Sequence, residues 1–291
     1  VTSLVRDWGV GVGYRDIHSS EFMENPPPGV SWIEILSENY LAWKNAPLGH
    51  AHLEILEIRR NLPVFMHGIS LSLASTEPLD RNYLKRLKEL AEILEPEIIS
   101  DHLSWSRAEG AHMQNLVPFP YTSESLKYLV EQIDEVQNFL GRPILLENPS
   151  AYMSFQYSEF AEWDFLKELT SRTSCGLLLD INNVYVSGWN LGFEPKEYLK
   201  NIPHHRVEQI HLAGHRLIDN KYLFDTHDQK VNPKVWELFR WYAESFPVRN
   251  IMLERDDNIP EWSEMEIELN QIKEIYNESK TITPTTAESA I

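Results

Sequence analysis

Eight short apolar runs punctuate this chain: Val10–Gly13, Trp32–Leu36, Val64–His67, Ile98–His102, Ile144–Glu147, Gly176–Asp180, Val207–Leu212 and Ile251–Glu254. Each has the length of a strand, and residues at helical spacing lie between most of them. Tyr83, Leu87, Leu90 and Leu94 form one stripe. Leu126, Leu129, Val130, Ile133 and Leu140 form a second, and Met265, Leu269, Ile272 and Tyr276 a third. These stripes read as core contacts. Thr122 or Ser123 can cap the second helix, and Pro260 stands where the last should begin. Strand alternating with helix predicts a parallel sheet with right-handed crossovers. Eight such units predict closure into a single (β/α)8 TIM barrel of the α/β class. That fold needs about 250 residues, and 291 are present. An open doubly wound sheet is the alternative. However, Gly9-Val10-Gly11-Val12-Gly13 is not followed by the glycine and helix of a nucleotide-binding turn. The barrel is expected over residues 1–277, and residues 278–291 as a flexible polar tail or partner-binding arm.

Six of the runs stop on, or just beside, a residue that can hold a metal: His67, His102, Glu147, Asp180, His211 and Glu254. In barrel enzymes the chemistry sits where strand ends converge on one rim. Taken singly, His67 or His102 reads more readily as a hydrogen-bonded core residue. A carboxylate directly after an apolar run, such as Glu147, needs a partner, a proton or a metal, because burying it uncompensated is too costly. Asp180 and Glu254 carry the same argument, with a salt bridge as the competing reading of each. Three such carboxylates beside histidines favour metal. Asp225-Thr226-His227 follows the seventh strand, and residues two apart on an extended segment point the same way. Counting Asp225 and His227 gives eight expected ligands. An ion with an open position uses three or four, so two or three ions with bridging carboxylates are expected. Nitrogen and oxygen donors suit iron, manganese or zinc, and the residues alone leave that choice open.

Bulk properties narrow the classes. The net charge is −18 and no Lys/Arg run is present, which disfavours a nucleic-acid partner. The single cysteine, Cys175, excludes an intrachain disulfide and thiolate clusters, and it reads as a small buried strand residue. No apolar run reaches membrane-spanning length, and the first residues lack the pattern of a secretory signal. A cytoplasmic protein with no membrane partner is expected.

The segments SENY (37–40), MHG (66–68), DHLSW (101–105), LLENPS (145–150), LLLDINNVYVS (177–187), HLAGH (211–215), DTH (225–227) and LERD (253–256) together resemble the multinuclear non-heme iron-dependent oxidative enzymes. This family, formerly a domain of unknown function, is related to the xylose-isomerase-like barrels. It includes enzymes of methanobactin and thioglutamate-peptide biosynthesis. The resemblance spans about residues 9 to 260. It implies two or three irons in mixed Fe2+/Fe3+ states, with O2 as co-substrate; on the donor set, zinc or manganese stay open as substitutes. It further implies a ribosomally made peptide whose cysteine is modified, and a second protein that recruits that peptide. By the same resemblance, His67, His102, Glu147 and Glu254 surround one iron. Glu147, Asp180, His211 and Glu254 serve a second. Asp225 and His227 hold a third with a residue of the 180–183 stretch. Some members carry a histidine there, whereas Asn183 offers only a neutral amide oxygen.

His215 is expected to orient the site or act as an acid–base group, and Asp256 to support it from the loop. Arg255 is expected to pair with a rim carboxylate. Glu38 and Asn39 are expected to contact substrate or brace the site, and His18, His50, His52, His112, His204 and His205 to lie on the surface or in loops. The rival functions are a two-metal sugar isomerase or epimerase, a three-zinc phosphodiesterase, and a metal-binding scaffold without activity. The negative charge weighs against the phosphodiesterase.

Overall fold

The computed structural model describes residues 5–23, 25–41, 49–108 and 111–281. Its strands are β1 (Val10–Gly13), β2 (Trp32–Leu36), β3 (Val64–Gly68), β4 (Ile99–His102), β5 (Trp105–Ala108), β6 (Ala111–Val117), β7 (Leu145–Glu147), β8 (Gly176–Asp180), β9 (Val207–Leu212), β10 (Arg216–Ile218), β11 (Tyr222–Phe224) and β12 (Ile251–Leu253). Its helices are α1 (Ser19–Met23), α2 (His50–Arg59), α3 (Arg81–Leu94), α4 (Ser123–Leu140), α5 (Glu162–Arg172), α6 (Ile181–Leu191), α7 (Pro195–Asn201), α8 (Pro233–Ser245) and α9 (Trp262–Thr281). Eight of the strands close a parallel barrel in the order β1-β2-β3-β4-β7-β8-β9-β12. They are the eight apolar runs, each end within one residue of its expected place. The four remaining strands form two antiparallel hairpins, β5–β6 and β10–β11, on loops beyond the rim.

Strand alternation stacks two layers inside the barrel. Trp32, Phe65, Ile98, Leu145, Leu178 and Met252 form a separate apolar cluster, with Val5 and Trp8 packed against it. Trp32 stacks on Phe65 with ring centroids 4.0 Å apart. β1 leaves room for this floor: a Cβ on Gly11 would lie 2.3 Å from the Trp32 indole. Two residues further along the same strands come Glu34, His67, Glu147, Asp180 and Glu254. Side chains two apart on a strand share a face, so the layer above the apolar floor is polar.

Around the barrel, the expected stripes of α3, α4 and α9 are buried in the main core, except that Val130, Leu140 and Tyr276 pack against it half-buried. Thr122 caps α4 in a capping box with Ser125, and Gly141 ends it in the left-handed conformation at φ 77°. α9 starts at Trp262, two residues after Pro260, and continues to Thr281. Residues 278–281, expected in the flexible tail, are therefore helical. Lys280 Nζ ties this turn to the barrel through Asp7 Oδ2 at 2.7 Å and the Val248 carbonyl at 3.0 Å. The rest of the expected tail, 282–291, lies outside the described residues. His18 departs from its surface assignment. It is buried, with Nε2 hydrogen-bonded to the Pro260 carbonyl at 2.8 Å, its ring edge-on to Trp262. Cys175 is buried and free, and burial pushes its thiol up to about 11. Among the described residues, no helix is long and apolar enough to cross a membrane.

Candidate metal centre

The parallel register brings the strand-end residues together. His102 pairs with Glu147 across β4 and β7, and Asp180 with His211 across β8 and β9. Three groups of side chains then present ligand atoms within 4.8 Å of one another: His67, His102 and Glu147; Glu147, Asp180, His211 and Glu254; and His227, Glu254 and Asp256. Glu147 belongs to the first two groups and Glu254 to the last two.

In the first group, His67 Nε2 and His102 Nε2 lie 3.1 and 3.2 Å from the same oxygen, Glu147 Oε2. The opposite ring nitrogens are fixed: His67 Nδ1 on Ser100 Oγ at 2.8 Å, and His102 Nδ1 on the Gly68 carbonyl at 3.1 Å. Anchoring one nitrogen turns the other into the cluster, as metal-binding imidazoles require. In the second group, His211 Nδ1 lies 3.0 Å from Glu254 Oε2, and its Nε2 lies 3.1 Å from Glu34 Oε1. Asp180 does two jobs. Its Oδ1 accepts from the Asn183 amide at 2.7 Å and caps α6, while Oδ2 is buried without a hydrogen bond. In the third, His227 Nδ1 faces Glu254 Oε2 at 3.3 Å and Asp256 Oδ2 at 3.1 Å. Its Nε2 meets Asp225 Oδ1 at 2.7 Å.

Asn183 stands beside these groups rather than in one. Its Oδ1 accepts from Ser150 Oγ at 2.8 Å, and its Nδ2 donates to Glu147 Oε1 at 3.3 Å. His215 acts at one remove. Its Nδ1 meets Asn182 Oδ1 at 2.6 Å, and Asn182 Nδ2 donates to Asp225 Oδ1 at 2.7 Å. Arg255 does not reach a rim carboxylate but pairs with Glu268 of α9 at 2.7 Å. Glu38 braces the site. It accepts from the Ile69 amide at 3.0 Å and the Tyr83 hydroxyl at 2.8 Å, and Asn39 lines the cavity.

Glu34 was not among the expected residues, because it sits inside an apolar run instead of at its end. Its signal was spacing: Trp32-x-Glu34 repeats the pattern of Phe65-x-His67. Of the residues above, Glu34, His67, His102, Asp225, His227, Glu254 and Asp256 line a cavity of about 450 Å³, with Arg15, Ile35, Leu116 and Thr226 also in its wall.

The donor set fits cations. Glu34, Glu147, Asp180 and Glu254 are all buried, and the ion pairs they make are with histidines alone. Neutral imidazoles do not balance four buried carboxylates. Glu147 Oε2, Asp180 Oδ2, His211 Nδ1, His227 Nε2 and Glu254 Oε2 lack hydrogen-bond partners despite their close neighbours, which leaves each of them free to face a cation. Without an ion, protons carry the compensation. Burial disfavours the His67 imidazolium, but Glu147 outweighs burial and raises it to about 9. Burial likewise opposes charge on His211 and His227, and the facing carboxylates hold both well above the usual histidine range. Burial would raise Glu147 and Glu254, but the histidines beside them pull both down. Asp180 goes the other way, pushed well up by burial, with only His227 opposing strongly. Burial lowers His102 and His215.

Comparison with known proteins places this geometry. A UPF0276 protein of Anaeromyxobacter sp. (strain Fw109-5) is 46% identical over 252 residues, 87% of each chain. One from Acaryochloris marina is 43% identical over 263 residues, 90% of this chain and 93% of that one. Among solved structures, a D-tagatose 3-epimerase-like protein superposes with a TM-score of 0.60 at 19% identity, covering 94% of this chain and 99% of the other. Endonuclease IV from Thermus thermophilus gives 0.58 at 14% identity, with the same coverage. At those identities the barrel fold is what is shared, as it is with a xylose isomerase domain protein from Planctomyces limnophilus. Residues 9–277 match the family described as RiPP precursor modification enzyme MbnB/TglH/ChrH. The chain thus belongs to the MbnB/TglH/ChrH family of enzymes that modify ribosomally made peptide precursors.

Proposed function

We propose that this protein is a multinuclear non-heme iron oxidase that uses O2 to modify a cysteine in a ribosomally synthesised precursor peptide. The observation that carries the reading is the sharing of Glu147 and Glu254 among three ligand groups with orphaned donor atoms. Shared carboxylates fit a cluster better than a single ion. Iron, when bound, supplies the one-electron chemistry that couples O2 reduction to oxidation of a thiolate. The residues that would hold it are His67, His102, Glu147, Asp180, His211, His227 and Glu254, with Asp225 at the third group and Asn183 beside the second.

The chain's own part is placement and proton handling. Asp256 lies in the cavity wall, with Oδ2 beside His227, and is the carboxylate placed to receive the substrate thiol proton. His215 is shut away from the cavity and acts through Asn182, fixing where Asp225 points. Ile35, Leu36 and Leu116 make part of the cavity wall apolar, limiting water around a bound thiolate. Following the family resemblance, a partner protein delivers the peptide.

The test is anaerobic loading with Fe(II), followed by addition of a cysteine-bearing peptide and measurement of O2 uptake and peptide mass. Oxygen consumption with a mass change, both lost on Cys-to-Ser replacement in the peptide, is the expected result. A bound peptide that leaves O2 untouched would overturn the oxidase reading.

A further inference from the structure

The hairpin after β9 carries an apolar face that leads into the metal centre. The register pairs Ile218 with Tyr222 and Arg216 with Phe224, so these four side chains share one face of β10–β11. That face is open: Ile218 is 41% exposed, Tyr222 50% and Phe224 48%. Tyr152, 41% exposed, extends it, its ring centroid 5.4 Å from that of Phe224. Isolated exposed apolar residues are ordinary, but a contiguous group marks an interaction surface.

The hairpin is held in shape. Asp219 and Asn220 both take positive φ, 51° and 53°, and the Lys221 amide donates to the Ile218 carbonyl at 2.9 Å. This is the backbone of a tight turn matched to strand twist. The Asn190 side chain of α6 bonds both the amide and the carbonyl of Leu223, at 3.0 and 2.8 Å, and the Trp189 indole donates to the Lys221 carbonyl at 3.2 Å. The surface is therefore pre-formed rather than a mobile loop.

Its position identifies the occupant. Phe224 is followed directly by Asp225, which meets His227 and lines the cavity. The Tyr152 hydroxyl accepts from the Asp225 amide at 3.0 Å, so a single tyrosine belongs to the apolar face and also fixes the entry to the site. We propose that this face binds the apolar or aromatic residues flanking the modified cysteine, with the peptide running from the hairpin into the cavity. The proposal rests on the peptide-oxidation reading and names the surface that selects the substrate. A second copy of the chain is the poorer occupant, because a net charge of −18 makes self-association repulsive. Continuity with the cavity has no role in self-association, whereas a peptide needs it.

Two labelled synthetic peptides test this by fluorescence anisotropy on the metal-loaded protein. One carries a cysteine flanked by Phe-Leu-Tyr, the other the same cysteine flanked by Gly-Ser-Gly. The apolar flank should tighten binding about tenfold, and the exposed-site variants Ile218→Ser and Phe224→Ser should abolish that preference while leaving the Gly-Ser-Gly peptide unchanged. Iron content, measured in parallel, should stay at the wild-type value. A preference that survives in both variants overturns the surface while leaving the peptide reading intact. Failure of both peptides to bind overturns the surface alone, because the peptide reading has a partner protein deliver the substrate and stands or falls on the O2-uptake test. Light scattering provides the last arm: a wild-type dimer that becomes monomeric in Phe224→Ser would assign the face to self-association and also overturn the proposal.

Discussion

Glu34 Oε1 lies 3.1 Å from Nε2 of His211, on the opposite edge of the imidazole from the Nδ1 that faces Glu254. The two come from strands on different sides of the barrel interior, and both are buried. A carboxylate at one ring nitrogen fixes the tautomer and makes the other nitrogen the better ligand. Gln209 completes the arrangement by donating to Glu34 Oε2 at 2.5 Å.

Replacing this carboxylate should weaken metal binding without touching a ligand. Glu34→Ala is expected to lower the affinity of the His211 group by about 10- to 100-fold, read by competition with a chelator. Circular dichroism should stay unchanged. Wild-type affinity in this variant would remove Glu34 from the site.

The apolar floor has its own test. A methyl group on Gly11 would sit 2.3 Å from the Trp32 ring, and Trp32 cannot retreat because it stacks on Phe65. Gly11→Ala should cost about 1–3 kcal/mol, seen as a lower urea midpoint with unchanged slope. An unshifted midpoint would show that the floor is looser than its geometry.

The barrel was legible because strands covered on both faces must be apolar throughout, and each such run survives as a contiguous signal in the sequence. The candidate ligands at its ends stood out for the same reason: a charged residue closing an apolar run is conspicuous. Glu34 did not, since it interrupts its run instead of ending it. The β10–β11 hairpin was missed because its strands are three residues each, exposed except at Leu223, and held by Asn190 from elsewhere in the chain. His18 was misplaced because its burial comes from Trp262 and Pro260, more than two hundred residues away in sequence. Asp256 joined a ligand group through the loop after β12, whose path no local pattern announces.

Away from the rim, Glu162 supplies a pH dependence. Its residue is half-buried at the start of α5, and its carboxyl group accepts from the Tyr198 hydroxyl at 2.9 Å. Burial raises it from 4.5 to about 7, with Tyr198 and Tyr121 opposing. The folded state therefore holds this proton more tightly than the unfolded state. Its contribution to stability is complete below pH 4.5 and is lost as pH rises through about 7. Across that window the slope is at most about 1.4 kcal/mol per pH unit. Denaturation of wild type and Glu162→Gln at several pH values checks this: the wild type should lose stability relative to the variant on going from acid to neutral. A constant difference would mean that the carboxyl group is solvated.

Glu147 is where the account is most exposed, because the first two ligand groups share it. The decisive measurement is metal analysis of anaerobically purified wild type, Glu147→Ala and His102→Ala. At least two irons per wild-type chain are predicted, with His102→Ala losing iron from one group and Glu147→Ala from two. Less than one iron per wild-type chain with stoichiometric zinc in its place, or a Glu147→Ala protein that keeps its full complement of iron, would contradict a carboxylate-bridged iron centre.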